Sequence, residues 1–171
     1  MTLTTEATVT LSGTILTPDG RPASGAVLRL SGDGGWITMI ADVGGRFEYS
    51  VQRSARLVQV IALSYDYPAA MLTAPLRADA DNELTIRFRS DGGTIRCRQP
   101  GDAVISAHGV VAALGLLRVP ERYGQPDASV YVESGAYTMC QRRNPSECRA
   151  IAVAPGSAQD VDLSVAEKER P

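Results

Sequence analysis

Leu84-Thr85-Ile86-Arg87-Phe88-Arg89 decides the class of this chain. Leucine, isoleucine and phenylalanine take every second position, and threonine and two arginines take the alternate ones. A period of two with one polar face marks a strand that covers a core on one side. Working outward, the same alternation runs through Thr8-Val9-Thr10-Leu11-Ser12-Gly13-Thr14-Ile15, Ala26-Val27-Leu28-Arg29-Leu30 and Phe47-Glu48-Tyr49-Ser50-Val51. Turn chemistry separates the runs: Pro18-Asp19-Gly20, Asp33-Gly34-Gly35, Gly44-Gly45 and Asp91-Gly92-Gly93. Reversals at intervals of about 8 to 15 residues are the spacing of a sandwich or barrel. The expected fold is all-β, built from antiparallel strands.

A weak internal repeat divides that fold in two. Gly13-Thr14-Ile15 recurs as Gly93-Thr94-Ile95, Gly45-Arg46-Phe47-Glu48-Tyr49 as Gly135-Ala136-Tyr137-Thr138-Met139, and residues 84–88 as residues 161–165. Equivalent pieces lie about 80 to 90 residues apart, the size of a small sandwich. The expectation is therefore two tandem β-sandwich modules, residues 7–89 and 90–166, with a charged, frayed tail at 167–171. The boundary falls at Ser90-Asp91-Gly92, a link so short that it should hold the modules end to end. Residues 104–119 are unusually apolar, and Val110-Val111-Ala112-Ala113-Leu114-Gly115-Leu116-Leu117 would pass alone as a buried helix. Gly109, Gly115 and the β-branched residues favour two strands there.

Composition narrows the function. A chain of 171 residues with 44% hydrophobic content is globular, and 16 Gly with 10 Pro suit short strands and turns. A net charge of −2 and a pI near 5.4 supply no cationic face for a phosphate backbone, so nucleic acid is not an expected partner. Lys168 is the only lysine, which reads as base composition of the source genome. No stretch approaches the ~20 apolar residues of a membrane span. Met1-Thr2-Leu3-Thr4-Thr5-Glu6 lacks the basic and apolar regions of a signal peptide. Cys140 and Cys148 bracket Gln141-Arg142-Arg143-Asn144-Pro145-Ser146-Glu147, the tip of an expected hairpin. Cysteines on neighbouring strands above such a tip reach disulfide geometry, and closing so short a loop stabilises by about 2–3 kcal/mol. A disulfide places the chain outside the cytoplasm, with a leader absent from this chain. A cytoplasmic chain with two ordinary thiols is the alternative. Cys97 is left over as a buried thiol.

The first module resembles the carboxypeptidase regulatory-like domains, a family of transthyretin-like (prealbumin-like) and broadly Ig-like sandwiches. The resemblance rests on Leu11-Ser12-Gly13-Thr14-Ile15, Asp19-Gly20, Pro22, Gly25-Ala26-Val27, and Asp42 followed by Gly45-Arg46-Phe47. Each feature is mechanical: Asp19-Gly20 turns tightly, Gly25 bends the chain and Phe47 plugs the core. The second module resembles the family more loosely, through Ser134-Gly135-Ala136-Tyr137-Thr138-Met139 and Val153-Ala154-Pro155-Gly156. The resemblance implies spacers, folding aids and binding modules attached to other proteins, and it carries over no catalytic residue.

Candidate chemistry is sparse. His108 is the only histidine, which excludes a His-rich zinc centre and leaves a serine triad without its Gly-x-Ser-x-Gly elbow. Cys97 and His108 sit on neighbouring expected strands, with no oxyanion hole or orienting acid nearby. Asp79-Ala80-Asp81-Asn82-Glu83 alternates acids as a calcium loop does but lacks its glycine and closing acid, so it reads as a solvated turn. No enzyme activity, metal or cofactor is expected. Trp36, after its turn, and Tyr65 and Tyr67, in Tyr65-Asp66-Tyr67-Pro68, could form one aromatic patch that stacks on a sugar ring or anchors a partner. Arg142 and Arg143 are displayed at the hairpin tip toward an acidic partner. The leading expectation is a non-catalytic structural or interaction module of a bacterial secreted or surface protein, presenting loops to a protein partner or adjoining domains. The alternative is a carbohydrate- or small-ligand-binding accessory domain, and unpaired edge strands leave room for self-association.

Overall fold

The computed structural model describes residues 8–32, 35–52, 56–77, 80–98, 103–118, 128–143 and 148–163. Seven strands form from the first half: β1 (Thr8–Leu16), β2 (Val27–Gly32), β3 (Gly35–Ile40), β4 (Arg46–Gln52), β5 (Leu57–Leu63), β6 (Ala70–Pro75) and β7 (Asn82–Arg87). Seven more follow: β8 (Gly92–Cys97), β9 (Ala103–Ala107), β10 (Val110–Ala113), β11 (Ala128–Glu133), β12 (Gly135–Gln141), β13 (Cys148–Val153) and β14 (Ala158–Val161). They make four sheets, in orders β4-β1-β7, β3-β2-β5-β6, β11-β8-β14 and β10-β9-β12-β13. Adding seven to each strand of the first pair of sheets yields the second pair. The fold is all-β, two sandwiches with one strand order.

That correspondence corrects two matches: residues 84–88 answer to residues 157–161 rather than 161–165, of which 164 and 165 lie outside the described residues. β1 and β8 are equivalent, as the Gly-Thr-Ile echo implies, but β4 answers to β11 while residues 135–139 lie in β12, the counterpart of β5. Short Gly-aromatic motifs recur wherever a strand leaves a turn, so they do not fix register by themselves. Both sandwiches depart from a purely antiparallel plan in the same place: β1 pairs with β7 in parallel, and β8 pairs with β14 in parallel.

Local chemistry accounts for the elements. In β1, Leu11 and Ile15 point inward and are buried, as period two requires. Phe47, 5% exposed, fills the first core beside Leu28, Leu30 and Phe88. The Asp42 carboxylate accepts the backbone N–H of Gly44 and of Arg46, both at 2.8 Å, and so closes the β3–β4 turn. Residues 104–118 form β9, β10 and a 3-10 turn over Leu114–Leu117, not one helix. His108 (φ 51°) and Gly109 (φ 78°) are the two central residues of the β9–β10 hairpin, the left-handed pair that a two-residue loop needs.

The end-to-end arrangement is not what forms. Along β5, Val58, Val60 and Ala62 enter the first core, whereas Ile61 and Leu63 enter the second. Val27, Ala69 and Met71 join them, so the β2-β5-β6 sheet is apolar on both faces and the second sandwich packs flat against it. The cause is elementary: an apolar outer face must be covered, at about 1.5–3 kcal/mol for each large side chain removed from water. Ala69 and Val132 add a bridge between the sandwiches, Ala69 N–H donating to the Tyr131 carbonyl at 2.8 Å. At the link, Arg89 grips Asp91 with two 3.0 Å bonds, and the Ser134 hydroxyl donates to the same carboxylate. A β-carbon at Gly92 would fall 2.6 Å from Pro68, so only glycine lets the link run this close.

Candidate functional site

Where the two sandwiches meet, their edges leave a cleft of about 220 Å3. The β5–β6 loop supplies Ser64 and Tyr65, β8 supplies Thr94, the end of the 3-10 turn supplies Arg118, and β11 supplies Ser129 and Tyr131. Leu63, Ala69, Leu117 and Val130 form its apolar lining. Tyr65 is 46% and Tyr131 39% exposed. Two tyrosines and three small hydroxyl residues around one guanidinium make a concave surface suited to a small, oxygen-rich ligand.

Behind the cleft lies Arg29, 3% exposed. Its guanidinium crosses from β2 into the second sandwich and donates to the Gly115 and Arg118 carbonyls, each at 3.1 Å. Gly115 lies within the 3-10 turn and Arg118 just after it, both half-buried, so Arg29 holds the segment that presents Arg118. Nearby, the Gln59 side-chain carbonyl accepts the Val111 N–H at 3.1 Å. On the other side of the junction, burial pushes the Glu133 carboxyl above its ordinary range, with Arg89 opposing and Asp91 reinforcing the rise. Burial likewise raises the Tyr137 phenol, whose hydroxyl donates to the Glu133 carbonyl at 2.7 Å.

The aromatic residues expected to form one patch are separated. Leu63 pairs with Val27, and Val27 with Ile40, so Tyr65 lies at the Ile40 end of the sheet. Trp36 sits four residues away along β3, roughly 13 Å, half-buried against the second core. Tyr67 turns the other way and stacks on Phe88 with ring centroids 5.7 Å apart. Tyr65 instead shares the cleft with Tyr131, which sequence reading passed over.

The remaining candidates resolve individually. Cys140 and Cys148 are directly opposite in the β12–β13 ladder and form a disulfide, with Cα atoms 4.1 Å apart. Arg142 and Arg143 follow at once and are exposed; residues 144–147 of the hairpin tip lie outside the described residues. Cys97 is buried on β8, whereas His108 turns in the opposing sheet, so they do not occupy neighbouring strands. Asp79 lies outside the described residues. Asn82 is buried and plugs its own turn, its side chain bonding the Arg77 N–H at 2.7 Å and the Arg77 and Ala80 carbonyls at 3.1 Å. Among the described residues no cluster of His, Cys, Asp or Glu could hold a metal ion, and no helix is long and apolar enough to cross a membrane.

No protein-family model matches the chain, and no curated protein matches it. Among solved structures it is similar to the Bacillus anthracis TIE protein, at 12% identity and a TM-score of 0.43, over 91% of this chain and 33% of that one. It is similar to a DUF3823 family protein from Bacteroides ovatus, at 9% identity and a TM-score of 0.39, over 87% of this chain and 96% of that one. Catechol 1,2-dioxygenase from Acinetobacter is similar over 55% of this chain and 45% of its own, at 13% identity and a TM-score of 0.37. The chain thus spans less than half the length of two of these proteins. Likeness at this level carries no conclusion about the fold or the activity of this chain.

Proposed function

We propose that this chain is a non-catalytic sandwich module of a bacterial secreted or surface protein, built to hold loops at fixed positions for a protein partner. The observation that carries this reading is the β12–β13 hairpin: the Cys140–Cys148 bond closes it directly below exposed Arg142 and Arg143. Such a closed tip loses little entropy on docking, and two arginines favour an acidic surface. The same bond supports an extracytoplasmic location. The two units, residues 7–89 and 90–166, are read as a tandem repeat, supported by their common strand order. Placement of the first with the carboxypeptidase regulatory-like domains is supported by the positive φ of Gly20 and Gly25, the Leu16–Pro22 bridge and the buried Phe47. The experiment compares capture of envelope proteins by the wild-type chain and by Arg142→Glu/Arg143→Glu. A partner held by the first and lost by the second, with melting unchanged, supports the reading; equal capture by both overturns it.

One observation favours a second reading, a carbohydrate- or small-ligand-binding module. It is the pairing of Tyr65 and Tyr131 at the mouth of the inter-sandwich cleft. Binding on a glycan array that disappears in Tyr131→Ala supports it. Indifference to that substitution sinks it.

A further inference from the structure

The sheet edges of this molecule are not equally protected. An edge strand offers a row of backbone groups to any other strand, and proteins blunt it with charge, proline, shortness or a cover. β4 carries Arg46 and Glu48, β7 carries Glu83 and Arg87, β13 carries Arg149, β11 carries Glu133, and β14 carries Asp160. β6 ends in Pro75, and the four-residue β10 has its Val111 N–H taken by Gln59. Among the described residues, β3, Gly35-Trp36-Ile37-Thr38-Met39-Ile40, has none of these devices.

The direction of its free groups follows from its neighbour. Ala41 N–H donates to the Ala26 carbonyl at 2.9 Å, and the Ala41 carbonyl accepts Gly25 N–H at 3.3 Å, so Ala41 faces β2 with both groups. In an antiparallel ladder successive residues alternate in direction. Ile40, Thr38 and Trp36 therefore turn N–H and C=O away from β2, and among the described residues no strand meets them. Thr38 is exposed and Ile40 is 69% exposed.

We infer that β3 pairs antiparallel with the β3 of a second copy of this chain. The strand is complementary to itself. A two-fold axis at Thr38 sets Thr38 against Thr38, Trp36 against Ile40 and Ile37 against Met39. Aromatic against β-branched is a favourable cross-strand pair, and an uncharged strand opposes no like charges. Three outward residues per copy, each with one donor and one acceptor, satisfy one another completely. The result is one continuous sheet, β6-β5-β2-β3-β3-β2-β5-β6, across the dimer.

Sedimentation of the full chain across micromolar concentrations, with hydrogen exchange on the same samples, tests this. The expected result is a reversible monomer–dimer equilibrium in which the Trp36, Thr38 and Ile40 amides slow as dimer forms. Thr38→Pro removes an outward N–H that meets no partner among the described residues, so it should leave the melting of the monomer unchanged and abolish the dimer. Thr38→Lys keeps the N–H and sets two like charges together, with the same outcome expected. A monomer at every concentration overturns the inference. So does a dimer that persists in both variants, or one that forms while the three amides exchange at an unchanged rate.

Discussion

The first sandwich fills its core with its own residues, among them Leu11, Ile15, Leu28, Phe47 and Phe88. The second does not. Its cluster runs from Ile95 to Leu163 but is completed by Val27, Ile61, Leu63, Ala69 and Met71 of the first half. Identical strand order therefore does not mean equal independence: one unit is a platform, and the other is assembled on it. The middle sheet is shared between both cores, so strain or damage at the junction is felt by the second unit first.

The largest expected effect sets the two cores against each other. Leu28→Ala and Ile61→Ala should each cost about 2–5 kcal/mol by chemical denaturation. Ile61→Ala should be non-additive with Leu114→Ala, by about 0.5–3 kcal/mol, while Leu28→Ala and Leu114→Ala simply add. The reverse pattern would dissolve the comparison. Next, reduction of Cys140–Cys148 should cost about 2–3 kcal/mol, with exchange protection falling in β12 and β13 and holding in β1 and β4. Third, Arg29→Met takes the guanidinium away from the Arg118 carbonyl and from the Gly115 carbonyl, which keeps, among the described residues, only the Arg118 N–H, and should cost about 1–3 kcal/mol, read from the urea midpoint. Arg29→Lys should not restore it, because one ammonium cannot serve both carbonyls as the fork does.

The smallest effect is a pH signature of the junction. Glu133 has a folded pKa raised by burial, so its contribution is present below the unfolded carboxylate value and lost as pH rises through the folded one. Glu133→Gln should therefore melt higher than wild type near neutrality and converge with it in acid. Asp91 is the opposite case, lowered first by the Ser134 hydroxyl and then by Arg89. Its contribution is present above the unfolded value and lost as pH falls through the folded one, so Asp91→Asn should be the weaker protein near neutrality and equal in acid. Parallel melting curves for both variants across pH would remove the junction carboxylates from the account.

What the sequence made legible was local. Turns at Asp19-Gly20 and Asp42 to Gly45, the alternation in β1 and β7, and a cysteine pair eight residues apart all declare themselves within a few positions. The cleft was not legible, because Tyr65, Thr94, Arg118 and Tyr131 come from distant segments that only packing brings together. Arg29 drew no notice in the sequence for an instructive reason. It occupies the polar phase of an alternating strand and so reads as solvent-facing, yet that face is covered by the second sandwich. The available signal was Leu57-Val58-Gln59-Val60-Ile61-Ala62-Leu63, whose nearly unbroken apolar run marks a strand buried on both faces.

The parallel pairing of first and last strands has a mechanical consequence. In each sandwich the chain enters the ladder at one end and leaves it at the other: Leu11 lies beside Asn82 and Leu16 beside Arg87, then Thr94 beside Ala158 and Cys97 beside Val161. Tension along the chain would pull these neighbours past one another, loading the rungs of each ladder in shear. Rungs in shear yield together, whereas a hairpin pulled at its open end unzips one rung at a time. Two such clamps in series would give the chain resistance to stretching out of proportion to its modest cores.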